Sequence, residues 1–280
     1  MRTKEWRLAH GRSLTIGPRA LLMGILNITP DSFSDGGRYM DPDAAASQAA
    51  RMIAEGADII DIGGESTRPG AVQVTAEEEQ ARVLPVIERV AKMGAVISVD
   101  TYRAETARLA LQAGAHIVND VWGLQREPDV ANVARATGAG LVIMHTGRER
   151  TKLPDVIADQ LAFLNRSLEI ARASGTDMER VVLDPGFGFA KEADENLMLM
   201  SRFAELKELG FPLLAGTSRK RFVGHTLARE DGDRDAATAA TSVILRLRGA
   251  SIFRVHNVAM NRDALIFADA MLALDAGPRE

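Results

Sequence analysis

Eight times along 280 residues, a short apolar run ends abruptly in a polar loop and gives way to a segment of helical spacing. The first instance sets the pattern. Leu21 to Leu26 has no helical period and reads as a strand buried on both faces, as in a parallel sheet. Asn27, Thr29, Asp31, Ser32, Ser34 and Asp35 then crowd a stretch punctuated by Pro30 and the Gly36-Gly37 pair. Such a loop leaves the sheet and suits a mobile lid. From Asp43 to Ala54 the chain is Ala-rich, with Gly56 just beyond, which predicts a capped helix leading to the next strand.

The same unit recurs. Strands are predicted over 58–62, 95–99, 116–118, 141–144, 181–183, 213–215 and 251–253. Each delivers polar residues at its carboxyl end: GGESTRPG after the second, Asp100-Thr101, Asn119-Asp120, His145, Asp184, GTSRKRF, and Arg254 with His256. Intervening helices are predicted over segments that include 103–112, 156–173, 196–209, 235–248 and 259–274. Thr75 and Glu78 have the spacing of a capping box before Val83, Val86, Ile87 and Val90. Strands this short and apolar, each followed by a helix, predict an α/β fold, the TIM (β/α)8 barrel, with a doubly wound sheet as the alternative. Met1 to Arg19 alternates around Trp6, Leu8, Leu14 and Ile16, which predicts a short N-terminal β-hairpin plugging one barrel end. The length fits one barrel domain over 1–280.

Composition removes several classes. A net charge of -4 and a pI near 5.8 argue against a nucleic-acid partner, which requires a basic stripe. Without cysteine there is no disulfide, thiolate nucleophile or thiolate metal site. No stretch has the apolar length of a membrane span or signal peptide, so no membrane partner and a cytoplasmic location are expected. The five histidines form neither HExxH nor an H-x-H pair, against a zinc cluster, and His116, at the start of a strand, suits a stability role at the barrel's bottom. There is no G-x-S-x-G elbow and no GxxxxGK[ST] loop, and the GFGF after Asp184 lacks the last glycine of a dinucleotide fingerprint.

What remains is positional. Asn27, Asp61, Asp100, Asn119, Met144 with His145, Asp184, Lys220, and Arg254 with His256 lie at or near strand carboxyl ends, which converge on one mouth in a barrel. Asp100, Asn119 and Asp184 can bond the amidine-like edge of an amino-substituted heterocycle, while Lys220 and Arg254 can meet its carbonyl and ring face. Asn27, Arg254 and His256 can supply an anion pocket. The predicted ligand has a ring at one end and phosphate at the other. Mg²⁺ is its natural companion, sharing oxygen ligands with phosphate, although Asn27 alone is a weak metal ligand.

The motifs NITPDSFSDGG, DIGGESTRPGA, SVDT, IVND, LDPGFGF, SRKRF and RVH follow one another in the order and near the spacing of dihydropteroate synthases, and the chain resembles that family over nearly its whole length. The resemblance implies the condensation of hydroxymethyl-dihydropterin pyrophosphate with para-aminobenzoate. It makes Asp100, Asn119, Asp184 and Lys220 the pterin-binding set, with Met144 beside the ring and Arg254 stacking on it. Asn27 becomes the Mg²⁺ contact and joins Arg254 and His256 around the pyrophosphate. Thr67, Arg68, Pro69, Gly188 and Phe189, with Ser218 and Arg219, shape the arylamine side, and Asp31, Phe33 and Asp35 belong to the mobile first loop. Asp100, Lys220, Arg254 and His256 are the implied catalytic residues. The implied chemistry is a dissociative displacement with no covalent enzyme intermediate, and a homodimer through the last helices is expected.

Four departures from the family pattern stand out: Asn257 where aspartate is usual, Ala190 where glycine is usual, KEADEN after it, and the fifth-strand loop MHTGRER. A corrinoid-type pterin methyltransferase is the nearest enzymatic alternative, disfavoured by STRPG and SRK together, and a catalytically silent pterin-binding paralogue is the other.

Overall fold

The computed structural model describes residues 3–29, 41–66, 73–228 and 232–275. Eight parallel strands carry the fold: β3 Leu21–Asn27, β4 Ile59–Gly63, β5 Val96–Asp100, β6 Ile117–Asp120, β7 Gly140–Met144, β8 Val181–Asp184, β9 Leu214–Ala215 and β10 Ile252–Val255. They are ordered β8-β7-β6-β5-β4-β3-β10-β9. A parallel bridge between Leu183 and Leu213 closes the seam between the two ends, with Leu183 N–H donating to Pro212 at 3.0 Å. The chain thus forms the expected α/β barrel of the TIM type. Ahead of it, β1 (Lys4–Arg7) and β2 (Ser13–Ile16) pair antiparallel as the predicted hairpin.

Side-chain alternation along the strands sorts the interior into layers. Leu22, Leu26, Ile60, Ile62, Ile97 and Val99 point outward into the shell of helices. Met23, Ile59, Val96, Ile117, Val142, Val182, Leu214 and Ile252 point inward and make an apolar floor. Trp6, Leu8 and Ile16 of the hairpin pack onto that floor, and Trp6 is fully buried with its indole N–H donating to Arg180 O at 2.7 Å. The hairpin therefore plugs the amino-terminal end. Gly140 is where it fits closest, since a Cβ there would lie 2.6 Å from the Leu8 side chain. His116 lies at the same end: its Nδ1 accepts from Ile97 N–H at 3.1 Å, and His10 meets it edge-on at 5.6 Å, in keeping with a stability role.

Around the barrel run α1 (Pro42–Ala54), α2 (Ala76–Ala91), α3 (Ala104–Gln112), α4 (Asp129–Thr137), α5 (Val156–Ala173), α6 (Ala193–Ser201), α7 (Arg221–Thr226), α8 (Asp235–Leu247) and α9 (Val258–Asp275). Asp41 caps α1 and Thr75 caps α2, but Glu78 pairs with Arg82 at 3.1 Å and does not complete a capping box with Thr75. The KEADEN stretch supplies such a box instead. Glu192 and Glu195 reciprocally cap α6, with Glu192 N–H donating to Glu195 at 2.6 Å.

Two helix expectations need correction. The single helix expected over 196–209 breaks at Arg202, after which a 3-10 segment, Phe203–Leu209, turns Phe203 and Leu206 fully into the core. The short α7, absent from the sequence reading, follows GTSRK because Phe222 and Val223 bury at a spacing too brief to show a helical period. Strand boundaries shift by one or two residues, mainly at the carboxyl ends, where β5, β6, β8 and β10 continue through Asp100, Asp120, Asp184 and Val255. The aspartates are thus held in the ladder itself rather than in loops.

Candidate active site

Two residues above the apolar floor, the same inward rows change chemistry. Asp61, Ser98, Asn119, Met144, Asp184 and Arg254 occupy the positions that follow Ile59, Val96, Ile117, Val142, Val182 and Ile252, and Asp100 follows Ser98. All but Arg254 are buried. The floor and the site are consecutive inward layers of one set of strands.

Arg254 organises this layer. Its Nε donates to Asp61 at 2.6 Å and a terminal nitrogen donates to Asp100 at 2.7 Å, so one guanidinium bridges two carboxylates. Asn119 donates to Asp61 at 3.3 Å, while its own side-chain oxygen is buried without a partner. A buried amide oxygen left unpaired at the head of the cleft is where a ligand N–H donor would be stabilised. Asp184 holds its backbone turn through Oδ1, which accepts from Gly186 N–H at 2.7 Å. Arg254, Asn119 and Asp184 join Met144, Phe189 and Lys220 around a cleft of about 270 Å³, open mouth included.

Burial dominates the ionisation of these groups. It pushes Asp100 up to about 7 against the pull of Arg254, because Asp61 shares that cation and Glu79 adds a like charge. Asp184 is pushed up to about 6 for the same reason, opposed by the Gly186 N–H and Lys220. Lys220 is brought down to about 8 by burial and by Arg254, despite Asp184 and Asp100. Arg254 is desolvated too, but Asp61 and Asp100 hold it firmly protonated.

At the mouth, Lys220 Nζ lies 4.2 Å from the centroid of the Phe189 ring, and the Arg148 guanidinium lies 4.7 Å from the same ring. Gly188 lies against the Lys220 stem: a Cβ there would approach Lys220 Cδ to 3.1 Å. Ser218 accepts from His256 N–H at 3.1 Å and pairs with His256 Nδ1 at 2.9 Å. Burial, with Arg219 and Arg254 adding to it, brings His256 down to about 3, so the imidazole is neutral. Arg219 faces Asp235 through two bonds of 2.8 Å, and Asn257 donates to the same carboxylate at 3.0 Å. An aspartate at 257 would bring a second carboxylate against Asp235, so asparagine suits this chain.

Asn27, half-buried, ends β3 beside Gly63 of β4. Among the described residues no three His, Cys, Asp or Glu side chains form a metal cluster. Asn27 could lend one neutral oxygen to a Mg²⁺ ion whose other ligands came from substrate phosphates and water. Thr67, Arg68 and Pro69 of the second loop, and Asp31, Phe33 and Asp35 of the first, lie outside the described residues.

The structure thus brings Asn119, Met144, Asp184, Phe189, Lys220 and Arg254 to one cleft, with Asp100 bonded to Arg254, Gly188 against the Lys220 stem, Ser218 paired with His256 and Arg219 turned to Asp235. Sequence reasoning placed Asp61 among the strand-end residues but gave it no role, although its inward phase two residues after Ile59 marked it. It did not single out Lys191, which no local pattern distinguishes.

An eight-stranded α/β barrel whose mouth sets carboxylates, an amide and buried cations around a small cleft defines a class, the pterin-binding enzymes, and the model described as "Pterin binding enzyme" matches residues 23–256. Within that class, the chain belongs to the dihydropteroate synthase family. It is 46% identical to the dihydropteroate synthase of Bacillus subtilis, over 93% of this chain and 91% of that one. Among solved structures it is similar to the Xanthomonas albilineans dihydropteroate synthase with 4-aminobenzoic acid, at 41% identity and a TM-score of 0.89, covering 98% of this chain and 100% of that one. It is also similar to the Clostridium difficile enzyme in the presence of pteroic acid, at 44% identity and a TM-score of 0.87, covering 91% and 98%.

Proposed function

We infer that the chain condenses hydroxymethyl-dihydropterin pyrophosphate with para-aminobenzoate to give dihydropteroate and pyrophosphate, as a pterinylmethyl transferase of folate synthesis. The observation that carries this is the inward polar layer, in which Asp184 and the unpaired Asn119 carbonyl face one cleft and Asp100 stands behind Arg254, in a chain of this family. The pterin edge donates N–H groups to those acceptors, its carbonyl side meets Lys220, and Arg254 covers its face.

The C–O bond to pyrophosphate breaks, the aryl nitrogen bonds to the methylene carbon, and the proton lost from nitrogen leaves with solvent or the product anion. No side chain forms a covalent bond. Asp100 stabilises positive charge that develops across the pterin, and His256 with Arg254 receives charge on the leaving group. Mg²⁺, held in part by Asn27, supplies further neutralisation of that group when bound. Binding is ordered with the pterin first, and the arylamine then meets a cation from which water must be kept.

A second copy of the chain belongs to this reading. Ile266, Phe267, Met271 and Leu274 of α9, with Leu247 of α8, are exposed, and an apolar face of this kind suits a homodimer. No helix among the described residues is long and apolar enough to cross a membrane. A pyrophosphate ester does not cross a bilayer unaided, which favours the cytoplasm. The deciding experiment incubates the protein with both substrates and Mg²⁺ and follows dihydropteroate and pyrophosphate. Product absent at every enzyme and Mg²⁺ concentration would leave a silent pterin-binding protein in its place.

A further inference from the structure

Asp184 stands on a turn whose central residue, Gly186, adopts φ +64 and has no side chain to hold it. Glycine is the residue with the largest conformational freedom, so the two peptide groups flanking it have to be fixed from outside. Packing sets one limit: a Cβ at Gly186 would lie 2.0 Å from the His145 carbonyl oxygen, so the turn rests directly on the end of β7. The peptide before Gly186 is held at both ends, by Gln160 donating to Pro185 O at 3.1 Å and by the Gly186 N–H donating to Asp184 at 2.7 Å. The peptide after it is held by Lys191, whose Nζ donates to Gly186 O at 2.8 Å, beside the Phe189 N–H, which donates to the same oxygen at 3.2 Å.

Lys191 does not reach Asp184, and its second bond goes to His145 Nδ1 at 2.9 Å. Arg150 lies 2.8 Å from the other ring nitrogen, Nε2. That nitrogen faces Asp159 Oδ2 at 3.0 Å, and Arg150 adds bonds of 2.8 and 2.5 Å to the same carboxylate. His145 is fully buried, and burial together with Lys191 brings it down to about 3, so it stays neutral. Asp159 and Gln160 are successive residues of α5. The helix therefore grips the Asp184 turn twice, once directly through Gln160 and once through His145 and Lys191.

Resting on the functional reading above, we propose that Lys191 is a positioning residue for pterin recognition: by tying the Gly186 carbonyl to His145 and Asp159, it fixes the direction in which Asp184 presents its free carboxylate oxygen. Lys191 touches neither substrate. Burial brings its ammonium down to about 7, so the interaction is maintained by the carboxylates of Asp184 and Asp159 nearby. On the arylamine side the Phe189 N–H shares the Gly186 carbonyl with Lys191 and keeps that bond when Lys191 is replaced, while Ser218 and Arg219 bond to His256 and Asp235 instead.

The test separates the two substrates. In Lys191→Met, KM for the pterin pyrophosphate rises about tenfold while KM for para-aminobenzoate, measured at saturating pterin, stays within twofold. Lys191→Arg, which keeps a donor for the Gly186 carbonyl, recovers most of the pterin KM. Should Lys191→Met not fold, Lys191→Gln takes its place, since its amide can still donate to that carbonyl, and an intermediate pterin KM is then expected. Equal rises in both KM values, or a lowered Tm with an unchanged KM ratio, overturn the positioning role. A wild-type protein that neither turns over nor binds pterin overturns the functional reading instead.

Discussion

Arg254 and Asp61 lie 193 positions apart in the chain and meet at 2.6 Å inside the barrel, where Asp61 has no exposed surface. Asp100 takes the other side of the same guanidinium at 2.7 Å. Arg254 therefore engages a carboxylate that the proposed pterin also uses, and pterin binding exchanges one partner of Asp100 for another. Asp61 keeps Arg254 in place during the exchange.

Asp61→Asn should destabilise the fold by about 3 kcal/mol, because it removes the buried charge that offsets a desolvated guanidinium. Denaturant unfolding checks this. A change below about 1 kcal/mol would mean that Asp100 alone balances Arg254.

For Asp100→Asn the larger effect is on turnover. Arg254 retains Asp61, so stability shifts by about 1 kcal/mol, whereas loss of a preorganised charge facing the pterin lowers kcat/KM about a hundredfold. Steady-state kinetics beside a melting curve separates the two, and near-normal activity would remove Asp100 from the mechanism.

Activity should rise and then fall with pH. The pterin N–H donors need ionised acceptors, and burial holds Asp184 near 6 and Asp100 near 7, so kcat/KM for the pterin climbs from pH 5 to about 7. Binding then draws both carboxyls down, since the ligand favours the charged form. On the alkaline side Lys220, brought down to about 8 by burial, loses its proton and kcat/KM falls. A profile flat from pH 5 to pH 9 contradicts these assignments.

Ala190 sits at φ +51, in the left-handed region where glycine is the usual occupant. A β-carbon there costs about 1–2 kcal/mol, while glycine adds less than about 1 kcal/mol of unfolded-chain entropy. Ala190→Gly should accordingly stabilise the protein by about 0.5–1 kcal/mol in denaturant unfolding. A loss of stability would show that contacts of the methyl group outweigh the backbone strain.

Much of this architecture was legible in advance. Eight apolar runs with polar carboxyl ends gave the barrel, and the alternation around Trp6 gave its plug, because both depend on local periodicity. The pterin-side residues Asp100, Asn119, Asp184, Lys220 and Arg254 were legible because the strand ends that carry them converge in any such barrel. Asp61 was seen but given no partner, since nothing near it in sequence points to Arg254. Lys191 was hidden for a related reason: its significance lies in three bonded groups, Gly186, His145 and Asp159, that only the folded chain brings together. The break at Arg202 escaped notice because the burial of Phe203, a tertiary effect, overrides a helical pattern that continues in the sequence.

The apolar floor and the polar mouth share the same strands, two residues apart, and that spacing ties fidelity of folding to fidelity of chemistry. Displacing β4 by a single residue would send Asp61 into the helical shell and bring Ile60 or Ile62 inward, losing the counter-ion of Arg254 and exposing the error as a buried unpaired charge. A misregistered barrel thus could not persist as a stable, inactive decoy, and the residues that recognise the ligand also proofread the strands that carry them.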